Sequence, residues 1–311
     1  MMRKSAIRAH EDGKTGRRSM LGYIRRRNKS RATRKPHAAT MPELPEVETT
    51  RRSVAPSVVG RRIAKLIVYD PRLRWPVPAS LKKSLEGRTV DALDRRSKYL
   101  LFRVGEGTLL VHLGMTGSLR VHTNAPARRP HDHVDIIFED GSRLRYHDPR
   151  RFGAMLWAPD PVLAHPLLRD LGPEPFDAAF DADYFWRRTR SRSAAIKLAL
   201  MDSHLVVGVG NIYANESLFR AGIRPATRAG KLSRPRLARL VTEVRAVLTE
   251  AIAKGGSTLR DYVDAAGEPG YFQLDYFVYG REGEPCRKCG TPIRHRQLGA
   301  RASFYCPVCQ R

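Results

Sequence analysis

The chain has 311 residues, 41% of them hydrophobic, and a formal charge of +26 from 57 lysines and arginines against 31 acids. That length supports a real core, and two domains more readily than one; that charge points to a polyanionic partner, nucleic acid first. No apolar run reaches the 18 residues of a spanning helix and no secretory apolar segment is visible, so no membrane partner is expected.

Residues 1–40 hold 13 of the basic residues, only two acids (Glu11 and Asp12) and no apolar periodicity. They are expected to be a disordered basic extension. Three readings of it stay open: a DNA-binding arm, an organelle transit peptide, or translation from a start codon upstream of the working one at Met41. Residues 42–56 then predict a short helix: Pro45 suits a first turn, Glu46 and Glu48 suit its positive end, and Gly60 closes the segment. Short β-type runs follow at 62–69, 99–104, 108–113, 118–122, 134–138 and 143–147, with Glu139-Asp140-Gly141-Ser142 as a hairpin turn. They predict a β-sandwich or barrel of about 100 residues. The character changes near Pro159, and Pro173-Glu174-Pro175 predicts a linker. Helical patterns come next, clearest over 233–254, where Leu237, Leu240, Val241, Val244, Leu248 and Ile252 share a face and Gly255-Gly256 stop the helix. That stripe predicts core, not function.

All four cysteines lie in the last 26 residues, as Cys286-x-x-Cys289 and Cys306-x-x-Cys309 with 16 residues between the pairs. Two such knuckles bring four thiolates onto one Zn²⁺ tetrahedrally. With all four positions taken by protein the ion is structural. Arg294, His295, Arg296 and Arg301 lie between the knuckles, where a pinned hairpin could read phosphates or a groove, or be a solvated basic turn.

Other segments look chemical. Pro42-Glu43-Leu44-Pro45-Glu46-Val47-Glu48 crowds carboxylates at one end of a helix, where they serve as acid and base or merely as dipole partners. His112-Leu113-Gly114-Met115-Thr116-Gly117 and Asp148-Pro149-Arg150-Arg151-Phe152-Gly153 put Met, Arg and Phe on loops, as a wedge into a base stack requires, although each alone also fits local packing. Val207-Gly208-Val209-Gly210-Asn211 could offer backbone N–H groups to a phosphate, or Asn211 could be a helix cap.

Taken in order, the opening Pro42–Glu48 motif, Arg95-Arg96-Ser97-Lys98-Tyr99-Leu100, the 112–119 turn, His131-Asp132-His133-Val134-Asp135, the 148–153 loop, the 207–214 segment and the cysteine pairs resemble formamidopyrimidine-DNA glycosylase over 41–311. The resemblance implies an α+β, two-lobed fold: an N-terminal β-sandwich with flanking helices, and a C-terminal helical lobe with a helix-two-turns-helix and a zinc-finger β-hairpin. The implied division is a catalytic sandwich over 41–160, a linker region over 161–175, a helical DNA-binding domain over 176–280 and a zinc finger over 281–311. The implied activity is a bifunctional glycosylase and lyase that removes oxidised purines from double-stranded DNA, also acts at abasic sites, and works as a monomer in the bacterial cytoplasm. An endonuclease VIII-like enzyme for oxidised pyrimidines, or a non-catalytic binder of damaged DNA, stands as the alternative.

By resemblance, Pro42 is the amine nucleophile, Glu43 the acid, Lys98 a lysine near the lesion and its phosphates, and Arg301 a phosphate clamp active in δ-elimination. His131, Arg150, Arg192 and Asn211 match DNA contacts; Met115, Arg150 and Phe152 match the trio that fills the gap left by the flipped nucleotide; residues 255–272 match a loop that closes over an oxidised purine. Pro42 is internal in this numbering, and a tertiary amide nitrogen has no lone pair for attack. The working protein is therefore expected to begin at Pro42.

Overall fold

The computed structural model describes residues 41–256 and 276–311; the extension expected over 1–40, and the loop expected over 255–272 beyond Gly256, lie outside the described residues. Helix α1 spans Leu44–Val58, with Pro45 in its first turn and Glu46 folding back so that its Oε2 accepts the Glu43 N–H at 2.8 Å. This occupies an N–H that no earlier turn can satisfy. Gly60 ends the segment at φ +78°, a conformation that favours glycine.

Eight strands then build two four-stranded antiparallel sheets. In chain order they are β1 (Ile63–Val68), β2 (Ala92–Arg96), β3 (Tyr99–Val104), β4 (Gly107–His112), β5 (Ser118–His122), β6 (Asp132–Phe138), β7 (Arg143–His147) and β8 (Ala154–Pro159), with the short helix α2 (Leu81–Leu85) between the first two. The sheet orders are β1-β6-β7-β5 and β2-β3-β4-β8. Leu66, Val121, Val134, Ile136, Leu144 and Tyr146 of the first sheet share one core with Leu93, Leu100, Phe102, Leu109, Val111 and Met155 of the second, and Val47, Val54 and Val58 of α1 join them. Two inner faces closing on one core make a β-sandwich. Strands β3 and β4 are apolar on both faces because Leu101 and Leu110 pack outward under Val162 and Leu168.

The helical lobe contains α3 (Ala182–Thr189), α4 (Ile196–Leu200), α5 (Asn211–Arg220) and α6 (Arg234–Ala253). Between α4 and α5, residues 202–210 form consecutive turns, opened by Leu205 and Val206 N–H groups donating to the Asp202 carbonyl. This is the helix-two-turns-helix. On α6, Leu237, Leu240, Val241, Val244 and Leu248 are buried as the sequence predicts, but Val247 and Ala251 share the core in place of Ile252, which is half-buried. At its end Gly256 N–H donates to the Ala251 carbonyl and Gly255 N–H to the Ile252 carbonyl, both glycines having positive φ. That double bond pattern terminates the helix.

The last strands, β9 (Arg294–Leu298) and β10 (Arg301–Tyr305), pair as a hairpin. It is fixed to the helical lobe by buried polar contacts. Asn215 Oδ1 accepts the Phe304 N–H at 2.8 Å, Lys197 Nζ donates to Ser303 Oγ at 2.7 Å, and Gln310 Nε2 donates to the Ile223 carbonyl at 2.9 Å. No helix among the described residues is long and apolar enough to cross a membrane.

Candidate functional site

The start of α1 and the start of α5 meet at the seam between the lobes. Glu43, only 3% exposed, lays its carboxylate on the N-terminus of α5. Its Oε2 accepts the Gly210 N–H at 2.8 Å and its Oε1 accepts the Ile212 N–H at 2.9 Å. The glycines of the 207–211 motif make this approach possible: a Cβ on Gly210 would collide with the Glu43 carboxyl, and one on Gly208, at φ +78°, would collide with Leu44. The backbone N–H groups that the sequence offered to a phosphate are thus taken by a carboxylate of the other lobe. Burial pushes the Glu43 pKa up to about 7, against the nearby Lys98 ammonium, which pulls it down. Pro42, the residue before it, is buried at the same seam.

Several cationic and polar groups converge on this carboxyl. Lys98 lies in the two-residue connection between β2 and β3, close enough to act electrostatically on both Glu43 and His112. His112 closes β4 as a neutral ring, its pKa lowered to about 4 by burial and then by Lys98. Its Nδ1 accepts the Gly114 N–H at 3.0 Å, so the neutral ring carries its proton on Nε2. Lys197 is fully buried, and burial brings its pKa down to about 7 in the fields of Glu43 and Arg301. Asn211 lies against the Tyr279 hydroxyl, while its own Oδ1 is buried with no partner. Tyr279 in turn feels Glu43 and Arg301.

Sequence reasoning named His112 only as part of the 112–117 loop, with no role of its own, and did not single out Lys197 or Tyr279. A lysine inside the apolar run Ile196-Lys197-Leu198-Ala199-Leu200 was a readable signal; nothing local marks Tyr279.

Two loops of the sandwich carry the candidate wedge. Asp148, fully buried, ties them together: its Oδ1 accepts from Thr116 Oγ1 at 2.6 Å and its Oδ2 accepts the Gly153 N–H at 2.9 Å. Met115 is half-buried on one loop; on the other, the Arg150 guanidinium sits 4.7 Å over the Phe152 ring, which is 44% exposed. An exposed aromatic stiffened by a stacked cation suits insertion between bases. His131 is exposed at φ +71°, beside the His147 ring. Arg192 stands apart from the Glu43 cluster, in the α3–α4 loop, paired with Asp202 at 2.9 Å.

The Sγ atoms of Cys286, Cys289, Cys306 and Cys309 all lie within 4.8 Å of one another. Tetrahedral Zn–S bonds of about 2.3 Å put sulfurs about 3.8 Å apart, and Cys289–Cys306 and Cys286–Cys309 are spaced at 3.5 and 3.9 Å here. The set fits one Zn²⁺ with no position open. Its role is to hold the hairpin that carries Arg301.

Three family models match in order: the formamidopyrimidine-DNA glycosylase N-terminal domain over 41–155, the H2TH domain of the same family over 171–263, and the zinc finger found in FPG and IleRS over 283–311. The formamidopyrimidine-DNA glycosylase of Burkholderia multivorans is 59% identical over 277 residues, covering 87% of this chain and all of that protein. The one from Thioalkalivibrio sulfidiphilus is 57% identical over 271 residues, with the same coverage of both chains. Among solved structures, the MutM (Fpg) protein of Thermus thermophilus superposes with a TM-score of 0.76 at 42% identity, over 86% of this chain and 98% of that one. The Lactococcus lactis Fpg bound to DNA with an abasic site superposes with a TM-score of 0.80 at 36% identity, over 86% and 99%.

Proposed function

The chain belongs to the formamidopyrimidine-DNA glycosylase family, and we propose that it removes oxidised purines, 8-oxoguanine and formamidopyrimidines, from double-stranded DNA and then cuts the strand at the resulting abasic site by β,δ-elimination. The observation that carries this reading is the buried Glu43 carboxyl, proton-bearing near neutral pH, next to Pro42 and surrounded by Lys98, Lys197 and the Asn211–Tyr279 pair. The Pro42 nitrogen bonds to C1′ as the glycosidic bond breaks, and the base departs with its glycosidic nitrogen taking up a proton to balance the one that the Pro42 nitrogen gives up. Glu43 gives its proton to the sugar ring oxygen as the ring opens. The resulting iminium makes the C2′ hydrogen acidic, which allows elimination of the 3′ and then the 5′ phosphate. Damage must be flipped out for C1′ to be reached; Met115, Arg150 and Phe152 fill the vacated stack. Asn211 and Arg301 clamp phosphates around the flipped nucleotide, His131 and Arg192 contact the DNA, Lys98 sits near the lesion and its phosphates, and Arg301 also assists the second elimination.

This chemistry needs a free secondary amine, so the active protein begins at Pro42. The N-terminal family match starting at residue 41 supports that boundary. The division into 41–160, 161–175, 176–280 and 281–311, a monomeric state and a cytoplasmic location belong to the same proposal.

Borohydride trapping on a duplex with 8-oxoguanine opposite cytosine tests it, using protein that starts at Pro42 beside the full chain. A covalent adduct at Pro42, lost when other residues precede it, is the expected result. Binding without any adduct from either form would leave a damaged-DNA binder, and trapping confined to oxidised pyrimidines would leave the endonuclease VIII-like activity.

A further inference from the structure

Lys98 has a neighbour whose backbone is unusual. The connection from β2 to β3 is two residues long, Ser97 and Lys98. Ser97 has φ +57° and is buried. In such tight connections a positive φ at the first position is ordinarily supplied by glycine. A serine held there needs outside restraint.

The restraint comes from the connector between the lobes. Glu174 Oε1 accepts the Ser97 N–H at 2.7 Å and the Arg96 Nη1 at 2.8 Å, while its Oε2 accepts the Arg95 Nη1 at 2.7 Å. The same Arg95 Nη1 donates to the Ser97 carbonyl at 2.9 Å, so both ends of the strained residue are gripped. Arg95 Nε reaches Glu48 on α1 at 3.2 Å, which ties the turn to the helix that begins beside Glu43. The Glu174 side chain is 15% exposed and that of Arg95 11%, so these ion pairs are largely out of water. On its other side the connector is anchored to the helical lobe, where Arg245 Nε donates to the Pro175 carbonyl at 2.9 Å and Val207 N–H to the Pro173 carbonyl at 3.1 Å.

We propose that Glu174 is a positioning residue: from the interlobe connector it holds Ser97 in its left-handed conformation and thereby sets the Lys98 ammonium against Glu43. The inference rests on the glycosylase reading for its consequence. Without the carboxylate, Ser97 relaxes and Lys98 is displaced, and a shift of about 1 Å at a reacting group can cost on the order of 100-fold in rate.

A double-mutant cycle distinguishes positioning from general bracing. Glu174→Ala is expected to slow single-turnover release of 8-oxoguanine by about 10- to 100-fold. In a Lys98→Ala background the same change should alter release by less than about twofold, because coupled residues are not additive. Glu174→Gln retains an acceptor for the Ser97 N–H and should recover most of the loss. Equal losses in both backgrounds, no loss in the parent, or a glutamine variant as slow as the alanine one would each overturn the proposal. If the alanine variant does not fold, Glu174→Asp, whose carboxylate falls one methylene short, carries the same cycle. The parent enzyme in these assays reports on the glycosylase reading itself, so an inactive parent and an additive cycle are separate failures.

Discussion

Glu43 makes the pH dependence of base release calculable. Its pKa is about 7, so the fraction holding a proton falls from about nine-tenths at pH 6 to about one-tenth at pH 8. If the proton on Glu43 is the one delivered to the sugar, the single-turnover rate falls about tenfold across that interval. If Pro42 is the nucleophile it must be unprotonated to attack, which produces an opposing rise at lower pH. Glu43→Gln separates the two limbs, since it retains the rise, loses the fall, and is slower by on the order of 10² to 10⁴. The assay is rapid-quench release of 8-oxoguanine from a duplex, with alkali-cleaved and untreated samples compared so that base loss is counted apart from strand cutting. Lys98 pulls the Glu43 pKa down, so Lys98→Met should move the falling limb to higher pH. A rate unchanged between pH 6 and pH 8, or a glutamine variant as fast as its parent, would refute the assignment of Glu43 as the acid.

Three further outcomes follow from the same geometry. Glu43 is an acid with a raised folded pKa, so the stability it contributes is complete below its unfolded value of 4.5 and is lost as pH rises through about 7; relative to Glu43→Gln, the parent should lose about 3 kcal/mol over that window, read from urea midpoints. Gly210→Ala touches no reacting atom, yet its Cβ collides with the Glu43 carboxyl, and base release should fall at least about tenfold with duplex affinity retained; an unimpaired variant would mean that Glu43 does not act from its seat on α5. Removing zinc by chelation or by Cys289→Ser should unseat the hairpin that carries Arg301 and weaken DNA binding while the sandwich keeps its melting transition; unchanged affinity would show that the finger is not a DNA reader.

The sandwich was legible because its strands alternate or run apolar with clear turns between them, and three of them, β3, β5 and β7, coincide with the expected ranges. Strand β2 was not, because Ala92-Leu93-Asp94-Arg95-Arg96 reads as a charged surface segment: it is an edge strand, and its arginines face Glu48 and Glu174 from distant parts of the chain. The cysteine pairs announced their chemistry through spacing alone. Tyr279 did not, and Lys197 showed only as a lysine within an apolar run, since the chemical character of both comes from what tertiary packing places beside them. The Gly-x-Gly-Asn segment was legible as unusual but not in its use. Glycine spacing shows that something approaches the backbone closely, and only the fold shows that the approaching group is Glu43.

On the proposed assignment of Glu43 as the acid, that contact accounts for where the chemistry sits. A carboxyl on the exposed start of a lone helix would titrate near 4.5 and be ionised at neutral pH. The sandwich supplies Glu43 and Lys98; the helical lobe supplies the Gly210, Ile212 and Tyr213 N–H groups, and its packing buries the carboxyl. Three donors favour the charged form, and burial disfavours it by more. The Glu43 carboxyl therefore acquires its raised pKa from the docking of the two lobes, and Pro42 lies one residue away on the same seam. Lys197 follows the same logic in reverse, being lowered to about 7 where α4 meets the zinc hairpin. Proton-bearing groups tuned toward neutrality thus stand at both junctions of the helical lobe, one with the sandwich and one with the finger. Loosening either junction should return its group toward an ordinary pKa before it unfolds either partner.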